Sequence, residues 1–281
     1  MTAERRRLLL TVAAAYTAGL AAAVMTTLPL VGQHALLVTA LCDMMATLAV
    51  FGFSVRFDNS SLYDPYWSVA PAPILAAWIA WGAPGAVPAR QALCALLVLA
   101  WAVRLTVNCL ARWRSLADED FRYVELREKH GRAYWLVSLL GLHLMPSTWV
   151  FLGLLPLWPA VSGRGRPLGP LDAVAALVTA GAILVEAVAD WQLHRFLAAR
   201  RDPAALLDSG LWAVSRHPNY LGEVLFWWGL WLFGLAADPA WWWTVVGPLA
   251  ITALFALVSV PLMERRLAAR RQALGSPAYR S

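Results

Sequence analysis

Charged residues are scarce in this chain of 281 residues, at 14%, while hydrophobic residues make up 60%. Together with a mean hydropathy of +0.58, this excess is more than a soluble domain buries, so the composition indicates an integral membrane protein. The three cysteines, Cys42, Cys94 and Cys109, show neither CxxC nor Cys/His spacing. The spacing therefore predicts no disulfide framework and no metal site.

Apolar runs recur along the chain at about the 20 residues that one membrane-spanning helix requires. Eight runs lie near 8–30, 35–55, 67–85, 90–110, 135–160, 171–190, 220–237 and 241–263. The first is too long for the apolar part of a signal peptide, so we expect it to remain as the first helix. No internal repeat or low-complexity linker interrupts the pattern. The sequence predicts an all-α, polytopic transmembrane bundle of about seven or eight helices, forming a single domain over 1–281.

The distribution of basic residues predicts the topology. With the N-terminus in the cytoplasm and eight crossings, only Arg90, Arg164 and Arg166 of the 23 Lys and Arg fall on the outer side. The positive-inside rule favours this arrangement, with both termini cytoplasmic. It also accounts for the net charge of +6 without a nucleic-acid partner. The polar loops then lie on the cytoplasmic face, and we expect a cofactor cavity to open there.

One polar loop, 58–67, carries Tyr63, Asp64 and Tyr66 between the second and third runs. It is typical of a turn with aromatic residues at the headgroup level. It also suits a carboxyl and phenol pair that donates hydrogen bonds to a substrate oxygen, provided that burial keeps the acid protonated. Both interpretations stay open on the residues alone.

Polar residues at four-residue spacing mark two apolar helices. Arg104, Asn108 and Arg112 share one helix face, and an arginine inside an apolar helix is costly, so Arg104 with Asn108 indicates an anion-binding or amide-binding face. Arg112 alone could extend to the interface. Glu186 and Asp190 are also four residues apart. Glu186 is the deeper of the two and needs a partner, for which Arg104 and Arg216 are both plausible.

The segment 215–223 brings cationic, imidazole, amide, phenol and carboxylate groups to the start of an apolar run. Pro218 can begin a helix, because the first helical N–H has no partner in any case. A helix N-terminus beside Arg216 and His217 suits a phosphate or carboxylate, and Glu223 can accept from an amide or a ribose hydroxyl. Asp43 and His143 lie in apolar runs, where each is either a satisfied core group or a substrate contact.

These motifs resemble the C-terminal domain of the steroid 5-alpha-reductase family, most closely its bacterial membrane branch. The similarity covers about 56–281 and rests on four segments, 64–68, 101–108, 119–123 and 189–223. The short Arg-His-Pro-x-Tyr motif with a following carboxylate is shared with sterol reductases and isoprenylcysteine carboxyl methyltransferases. Gly222 followed by Glu223, together with Asp190, is more similar to the reductases.

The resemblance implies an NADPH-dependent membrane oxidoreductase, acting on a C=C bond conjugated to a carbonyl in a lipophilic, steroid-like or isoprenoid-like substrate, in the bacterial inner membrane. It puts Asn219 and Glu223 at the nicotinamide and Asp190 near the adenosine or ribose. The expected cofactor-binding residues are Arg104, Asn108, Arg112, Asp120, Tyr123, Asp190, Arg195, Arg216, His217, Asn219, Tyr220 and Glu223.

The catalytic residues implied by the resemblance are Asp64 with Tyr63 or Tyr66. Steroid reductases of the family hold the ketone with a Glu in the second helix region and a Tyr on a later helix. Here Asp64 is the nearest carboxyl by position, and Trp101 stands where that tyrosine is expected. Two alternatives are an S-adenosylmethionine-dependent methyltransferase of a lipid substrate, and a non-catalytic protein that binds membrane lipid.

Overall fold

The structure, a computed structural model, describes residues 2–163, 165–199 and 205–273. These residues form helices and connecting turns and no strand, which confirms the all-α prediction. The α-helices, in chain order α1 to α13, are Ala3–Thr27, Ala35–Arg56, Tyr66–Val69, Pro71–Ala80, Pro88–Arg112, Phe121–His130, Tyr134–Val137, Met145–Leu154, Leu157–Ser162, Pro170–Ala199, Pro218–Ala237, Val246–Leu254 and Val260–Ala273.

Shorter turns of other helix types connect some of these elements. Five 3₁₀ segments cover Leu28–Leu30, Ser60–Tyr63, Gly131–Ala133, Gly210–Ala213 and Pro239–Val245. Two π-helical segments, Ser138–Leu144 and Phe255–Ser259, join α7 to α8 and α12 to α13. Each π segment continues the helix on both sides of it, so the joined helices are long enough to cross a membrane.

Seven helical stretches in the described part of the chain have the length and apolar character of a membrane span. They are Ala3–Leu30, Ala35–Arg56, Pro88–Arg112, Phe121–Leu154, Pro170–Ala199, Pro218–Ala237 and Pro239–Ala269. Large apolar side chains remain on the outer surface of these helices, for example Leu96 and Leu177, which are 66% and 74% exposed. A surface of this kind belongs in lipid, and the chain is a multi-pass membrane protein.

The third apolar run departs from the prediction, because 67–85 does not form one long helix. It is divided into α3 and α4, and α4 has only 10 residues. Pro71 and Pro73 lack the N–H that a continuous helix needs, and each restricts the residue before it. The chain nevertheless passes from one end of the bundle to the other here. Ser60 N–H bonds to Glu119, before the fourth long span begins, and Ala83 N–H bonds to Ser162 O, after it ends.

We call the end of the bundle at which α1 begins and α5 ends the arginine-rich end. There, Arg5 donates to the carbonyl oxygens of Leu110 and Trp113. This contact joins the start of α1 to the end of α5. The predicted outer residues Arg90 and Arg166 lie together at the opposite end, where Arg90 donates to Arg166 O at 2.9 Å. The predicted outer residue Arg164 lies outside the described residues.

A buried ion pair closes the opposite end. Arg90 is 0% exposed and donates to both carboxylate oxygens of Asp172, at 2.6 and 2.9 Å. It also donates to the carbonyl oxygens of Arg166 and Pro167. The guanidinium therefore has partners on every side, and α5 is joined to the first turn of α10.

Close packing of α10 against α11 brings the polar residues of the two helices together. Gly222 and Gly229 lie on the side of α11 that faces α10. A methyl group at Gly222 would meet Glu186 Cγ at 2.5 Å and Ala182 O at 2.8 Å, and Gly229 is similarly close to Thr179. Only hydrogen fits at these positions, so the helix backbones approach closely enough for Glu186 and Glu223 to share one buried region.

Candidate functional site

The first candidate site is a polar cluster between α5, α10 and α11, formed by Arg104, Asn108, Glu186, Asp190, Asn219 and Glu223. Arg104 Nη1 donates to Asp190 Oδ2 at 2.9 Å, and the Arg104 guanidinium also pairs with Glu186. Asn108 Nδ2 donates to Asp190 Oδ2 at 2.7 Å. Asn219 Nδ2 donates to Asp190 Oδ1 at 3.4 Å. The structure therefore joins residues from three separate sequence motifs around one guanidinium.

Glu223 occupies the deepest part of the polar cluster and is 5% exposed. Its two carboxylate oxygens accept from two indole groups, Trp101 Nε1 at 3.0 Å and Trp227 Nε1 at 2.8 Å. Trp101 also stacks on Phe226, with ring centroids 4.6 Å apart. An aromatic wall thus holds the Glu223 carboxylate in a fixed orientation.

Several atoms in the polar cluster lack a hydrogen-bond partner although water cannot reach them. They include three acceptors, Asn108 Oδ1, Asn219 Oδ1 and Glu186 Oε1. A buried polar atom without a partner costs about 1–3 kcal/mol, and most buried polar atoms in folded proteins are paired. Three such acceptors within one cluster are therefore suited to a ligand that carries N–H or O–H donors.

At the arginine-rich end, the start of α11 lies beside the polar cluster. Helix α11 begins at Pro218, as the sequence predicts. His217 Nε2 lies 2.8 Å from Glu264 Oε1, and Arg216 Nη1 lies 3.5 Å from Glu264 Oε2. The His217 ring stacks on Tyr220 with centroids 5.2 Å apart. These contacts join α13, which carries Glu264, to the start of α11.

Two further predicted cofactor-binding residues lie on the outside. Arg112 is exposed, and its Nε donates to the backbone oxygen of Asn108 at 3.3 Å. Arg195 is exposed as well, with its guanidinium 5.5 Å from the ring centroid of Trp191. Neither side chain has a described contact with a side chain of the polar cluster.

The 58–67 loop makes a separate buried contact with the start of α6. The Tyr123 hydroxyl donates to Asp64 Oδ1. Burial raises the pKa of the Asp64 carboxyl to about 6, although Arg122 and the Tyr123 hydroxyl lower it. Asp120 caps α6 by accepting from Arg122 N–H at 2.9 Å. Asp64, a predicted catalytic residue, thus lies beside the predicted cofactor-binding residues Asp120 and Tyr123 at the N-terminal end of α6.

A second candidate site is an apolar cavity of about 570 Å³ between α1, α2, α3 and α4. Its lining includes Tyr16, Leu20, Val24, Asp43, Tyr66 and Ile74. Leu20 and Val24 are 54% and 55% exposed, so the cavity reaches the lipid-facing surface of α1. Asp43, by contrast, is only 8% exposed, and its carboxyl lies near the Tyr66 phenol. The cavity can hold an apolar molecule and offers it the Asp43 carboxyl and the Tyr66 phenol, while the Tyr16 hydroxyl donates to Leu62 O.

The predicted catalytic residues divide between these environments. Tyr66 lines the apolar cavity and is 6% exposed. Tyr63 instead bonds to Ser147 Oγ at 2.8 Å and Asp64 to Tyr123, and neither residue lines the cavity. Asp43 is the carboxyl at the cavity, which the sequence left open as a core group or a substrate contact.

The short helix α3 separates the apolar cavity from the polar cluster. Tyr66 belongs to the cavity lining, whereas the next residue, Trp67, packs against Trp101 with ring centroids 5.7 Å apart. Ser68 then hydrogen-bonds to Thr106 of α5 at 2.8 Å. Successive side chains of α3 therefore contact the apolar cavity and, through Trp101 and Thr106, the helix that carries Arg104 and Asn108.

His143, the other polar residue left open by the sequence, is fully paired. Its Nδ1 lies 2.9 Å from Ser138 O, and its Nε2 lies 3.1 Å from Ser54 Oγ. The ring is 0% exposed. These contacts favour the interpretation of His143 as a satisfied core group.

Sequence reasoning missed the two indole donors to Glu223. Trp227 follows Glu223 by four residues, the spacing at which side chains on one helix face meet, so this contact had a local signal. Trp101 had none, because its contact with Glu223 joins residues far apart in the chain.

Comparison with known proteins gives a family. The family model described as "Protein of unknown function (DUF1295)" matches residues 50–281. An uncharacterized protein of Schizosaccharomyces pombe is 26% identical over 229 residues, which cover 73% of this chain and 67% of that protein. No solved structure matches the chain significantly.

Proposed function

The chain belongs to the DUF1295 family, a family associated with steroid 5-alpha-reductase-like proteins, and we propose that it is an NADPH-dependent membrane reductase. Its substrate would be a lipophilic molecule with a C=C bond conjugated to a carbonyl. The observation that carries the proposal is the pair of sites on either side of α3. One is polar with unpartnered acceptors, and the other is apolar with the Asp43 carboxyl and the Tyr66 phenol.

The polar cluster supports binding of the cofactor. NADPH would supply a hydride, and its carboxamide and ribose hydroxyls carry the donors that the free oxygens of Asn108, Asn219 and Glu186 lack. Arg112 and Arg216, at the arginine-rich end, carry charges suited to its phosphate groups. We propose that this end faces the cytoplasm of a bacterial inner membrane, where the cofactor is available.

The apolar cavity supports binding of the substrate. In apolar surroundings, a fixed phenol such as Tyr66 can donate to a carbonyl oxygen and stabilise negative charge that develops there, and one lost donor of this kind typically costs about 10²–10³ in rate. Asp43 lies on the second helix and Tyr66 on a later one. This arrangement resembles the Glu and Tyr pair of the steroid reductases, and we propose Asp43 as the carboxyl of the pair.

One observation favours the methyltransferase as a second candidate. The polar cluster has three carboxyl groups, Glu186, Asp190 and Glu223, against the single guanidinium of Arg104. An excess of acidic groups suits a positively charged ligand, and S-adenosylmethionine carries a sulfonium and an ammonium group. Binding assays must therefore include both cofactors.

The proposal is tested by thermal unfolding of the full-length protein in detergent with NADPH, NADH, S-adenosylmethionine or S-adenosylhomocysteine. A ligand at 100 times its Kd adds about 2.7 kcal/mol to the free energy of unfolding. We expect NADPH to raise the Tm, and Asn219→Ala to remove that rise. Gln91→Ala is the matched control, because the Gln91 amide bonds to Val161 O at the opposite end.

Three other outcomes would count against the reductase. A response to the methyl-donor pair alone supports the methyltransferase. If Asn219→Ala and Gln91→Ala lose the NADPH-dependent rise in Tm equally, Asn219 acts only through the stability of the fold. No response to any of the four ligands favours the lipid-binding alternative.

The substrate site is tested separately with Tyr66→Phe. This variant should keep the NADPH-dependent rise in Tm, while the rate of NADPH oxidation with an active enone falls by about 10²–10³-fold. A rate within about threefold of the wild type would exclude Tyr66 as the carbonyl donor.

A further inference from the structure

A groove of about 590 Å³ runs along the outside of the bundle at the arginine-rich end and shares no lining residue with either candidate site. It lies between the N-terminal half of α1 and the last turn of α2. Its lining includes Thr2, Arg6, Arg7, Leu10, Phe53 and Phe57, and we call it the α1/α2 groove. Its floor is partly formed by the small side chains of Ala3 and Ala14, which leave room for an occupant.

The α1/α2 groove is strongly basic. Arg6 and Arg7 line it, and the basic Arg5 and Arg56 and the acidic Glu4 and Asp58 are next to lining residues in the chain. Arg5 is engaged by carbonyl oxygens of α5 and its connection, and Arg56 lies over the Phe57 ring at 5.6 Å. In the described part of the chain, the side chains of Arg6 and Arg7 form no hydrogen bond or ion pair. Two exposed guanidinium groups therefore point to an anionic occupant.

The lining changes from polar to apolar along the groove. Thr2, Arg6 and Arg7 lie at the helix end, and Leu10 and Ala14 follow one and two turns deeper. From Thr2 to Ala14 the helix rises about 18 Å, at 1.5 Å per residue. Leu10 is 60% exposed despite its apolar side chain. A phospholipid has the same polarity profile over this length, with a phosphate at the membrane surface and acyl chains below it.

We propose that the α1/α2 groove binds an anionic phospholipid of the bilayer. Its phosphate contacts Arg6 and Arg7, which donate charge-assisted hydrogen bonds. One acyl chain lies against Leu10, Ala14 and Phe53. Basic pockets between membrane helices on the cytoplasmic side bind anionic headgroups by this chemistry. The site does not depend on the cofactor or on the proposed reaction.

The test is lipid binding to the full-length protein in detergent, measured by native mass spectrometry. Dioleoylphosphatidylglycerol is titrated against dioleoylphosphatidylcholine, which has the same chains and no net charge. We expect bound phosphatidylglycerol to exceed bound phosphatidylcholine. Arg6→Gln/Arg7→Gln should weaken phosphatidylglycerol binding by roughly 30-fold, from about a fivefold effect of each arginine near a membrane surface.

A matched control removes equal charge elsewhere at the same end. Arg114→Gln/Arg132→Gln changes two exposed arginines that lie outside the groove. Equal losses in the two double variants would show that surface charge alone attracts the lipid and would overturn the proposal. Equal binding of both lipids by the wild type would overturn it as well.

A second variant tests the apolar part of the groove without changing its charge. Ala14→Trp fills the apolar part and keeps every arginine, so the topology signal of the N-terminus is unchanged. We expect it to weaken phosphatidylglycerol binding, and glycerol 3-phosphate to compete poorly with the lipid in the wild type. Unchanged binding in Ala14→Trp, or full competition by glycerol 3-phosphate, would show that no acyl chain occupies the groove.

Discussion

Replacement of Glu223 by Gln tests the arrangement at the centre of the polar cluster. Both oxygens of Glu223 accept from indole N–H groups, those of Trp101 and Trp227. A Gln side chain has one oxygen, so its amide N–H₂ must face the second indole N–H, donor against donor. Losing a hydrogen bond to a charged acceptor in a buried site costs about 1.5–3 kcal/mol. We expect Glu223→Gln to lower the free energy of unfolding by this amount without any ligand.

The measurement is thermal unfolding in detergent, where a loss of this size corresponds to a fall in Tm of roughly 3–12 °C. Rescue then identifies the cause. In the Glu223→Gln background, Trp101→Phe or Trp227→Phe removes the N–H that faces the amide, so one of these double variants should lose at least about 1 kcal/mol less than the sum of its single changes.

Trp228→Phe serves as the control for rescue. Trp228 lies on the same helix, but its indole donates to Thr252 Oγ1 at 3.1 Å and not to Glu223. Its effect should add to that of Glu223→Gln. Strict additivity in all three double variants would refute the paired-indole arrangement. A wild-type Tm for Glu223→Gln itself would do the same.

Three further variants test other parts of the structure. Arg90→Ala should cost about 3–5 kcal/mol, because it leaves the Asp172 carboxylate buried without a partner, and Arg90→Met/Asp172→Leu should recover most of the loss in Tm. Burial raises the pKa of Asp64 from 3.8 to about 6, so the folded state keeps a proton that the unfolded state releases, and stability from this group falls as the pH rises from about 4 to 6. The difference is up to about 3 kcal/mol, and Asp64→Asn should flatten that part of a Tm profile measured from pH 4 to 7.5. Gly222→Ala should lower the free energy of unfolding by about 1–3 kcal/mol by forcing α11 away from Glu186, and should also abolish any cofactor-dependent rise in Tm. The control Gly181→Ala changes a position with free space around it and should keep the wild-type stability and any such rise.

Much of the bundle could be predicted from local features of the sequence. Runs of apolar residues define the long helices, and the preference of proline for a first helical turn defines the start of α11. The four-residue spacing of Arg104 with Asn108, and of Glu186 with Asp190, predicts two polar helix faces. Because unpaired charges are costly in an apolar bundle, these faces meet, and the choice of Arg104 as the partner of Glu186 follows from the packing of α5 on α10.

The apolar cavity could not be predicted in this way. Asp43 and Tyr66 belong to different helices. Their proximity depends on how α1, α2 and α4 pack around the cavity, and local sequence patterns do not predict that packing. The third run contains Pro71 and Pro73, which disfavour a continuous helix. Its length and apolar composition nevertheless predicted one long helix. The contact between Trp101 and Glu223 likewise depends on tertiary packing over a long sequence separation.

Because α3 lines the apolar cavity and also packs on Trp101, which donates to Glu223, we expect occupancy of one candidate site to affect the other. Tyr66 lines the apolar cavity, and its neighbour Trp67 packs on Trp101, which holds Glu223. A ligand in the polar cluster that fixes Trp101 would also limit the positions open to α3. An occupant of the cavity would then lose less conformational entropy in ordering α3. Coupling of this kind is reciprocal, so each ligand would change the affinity for the other by the same factor. A four-residue helix is thus the element that connects the two sites.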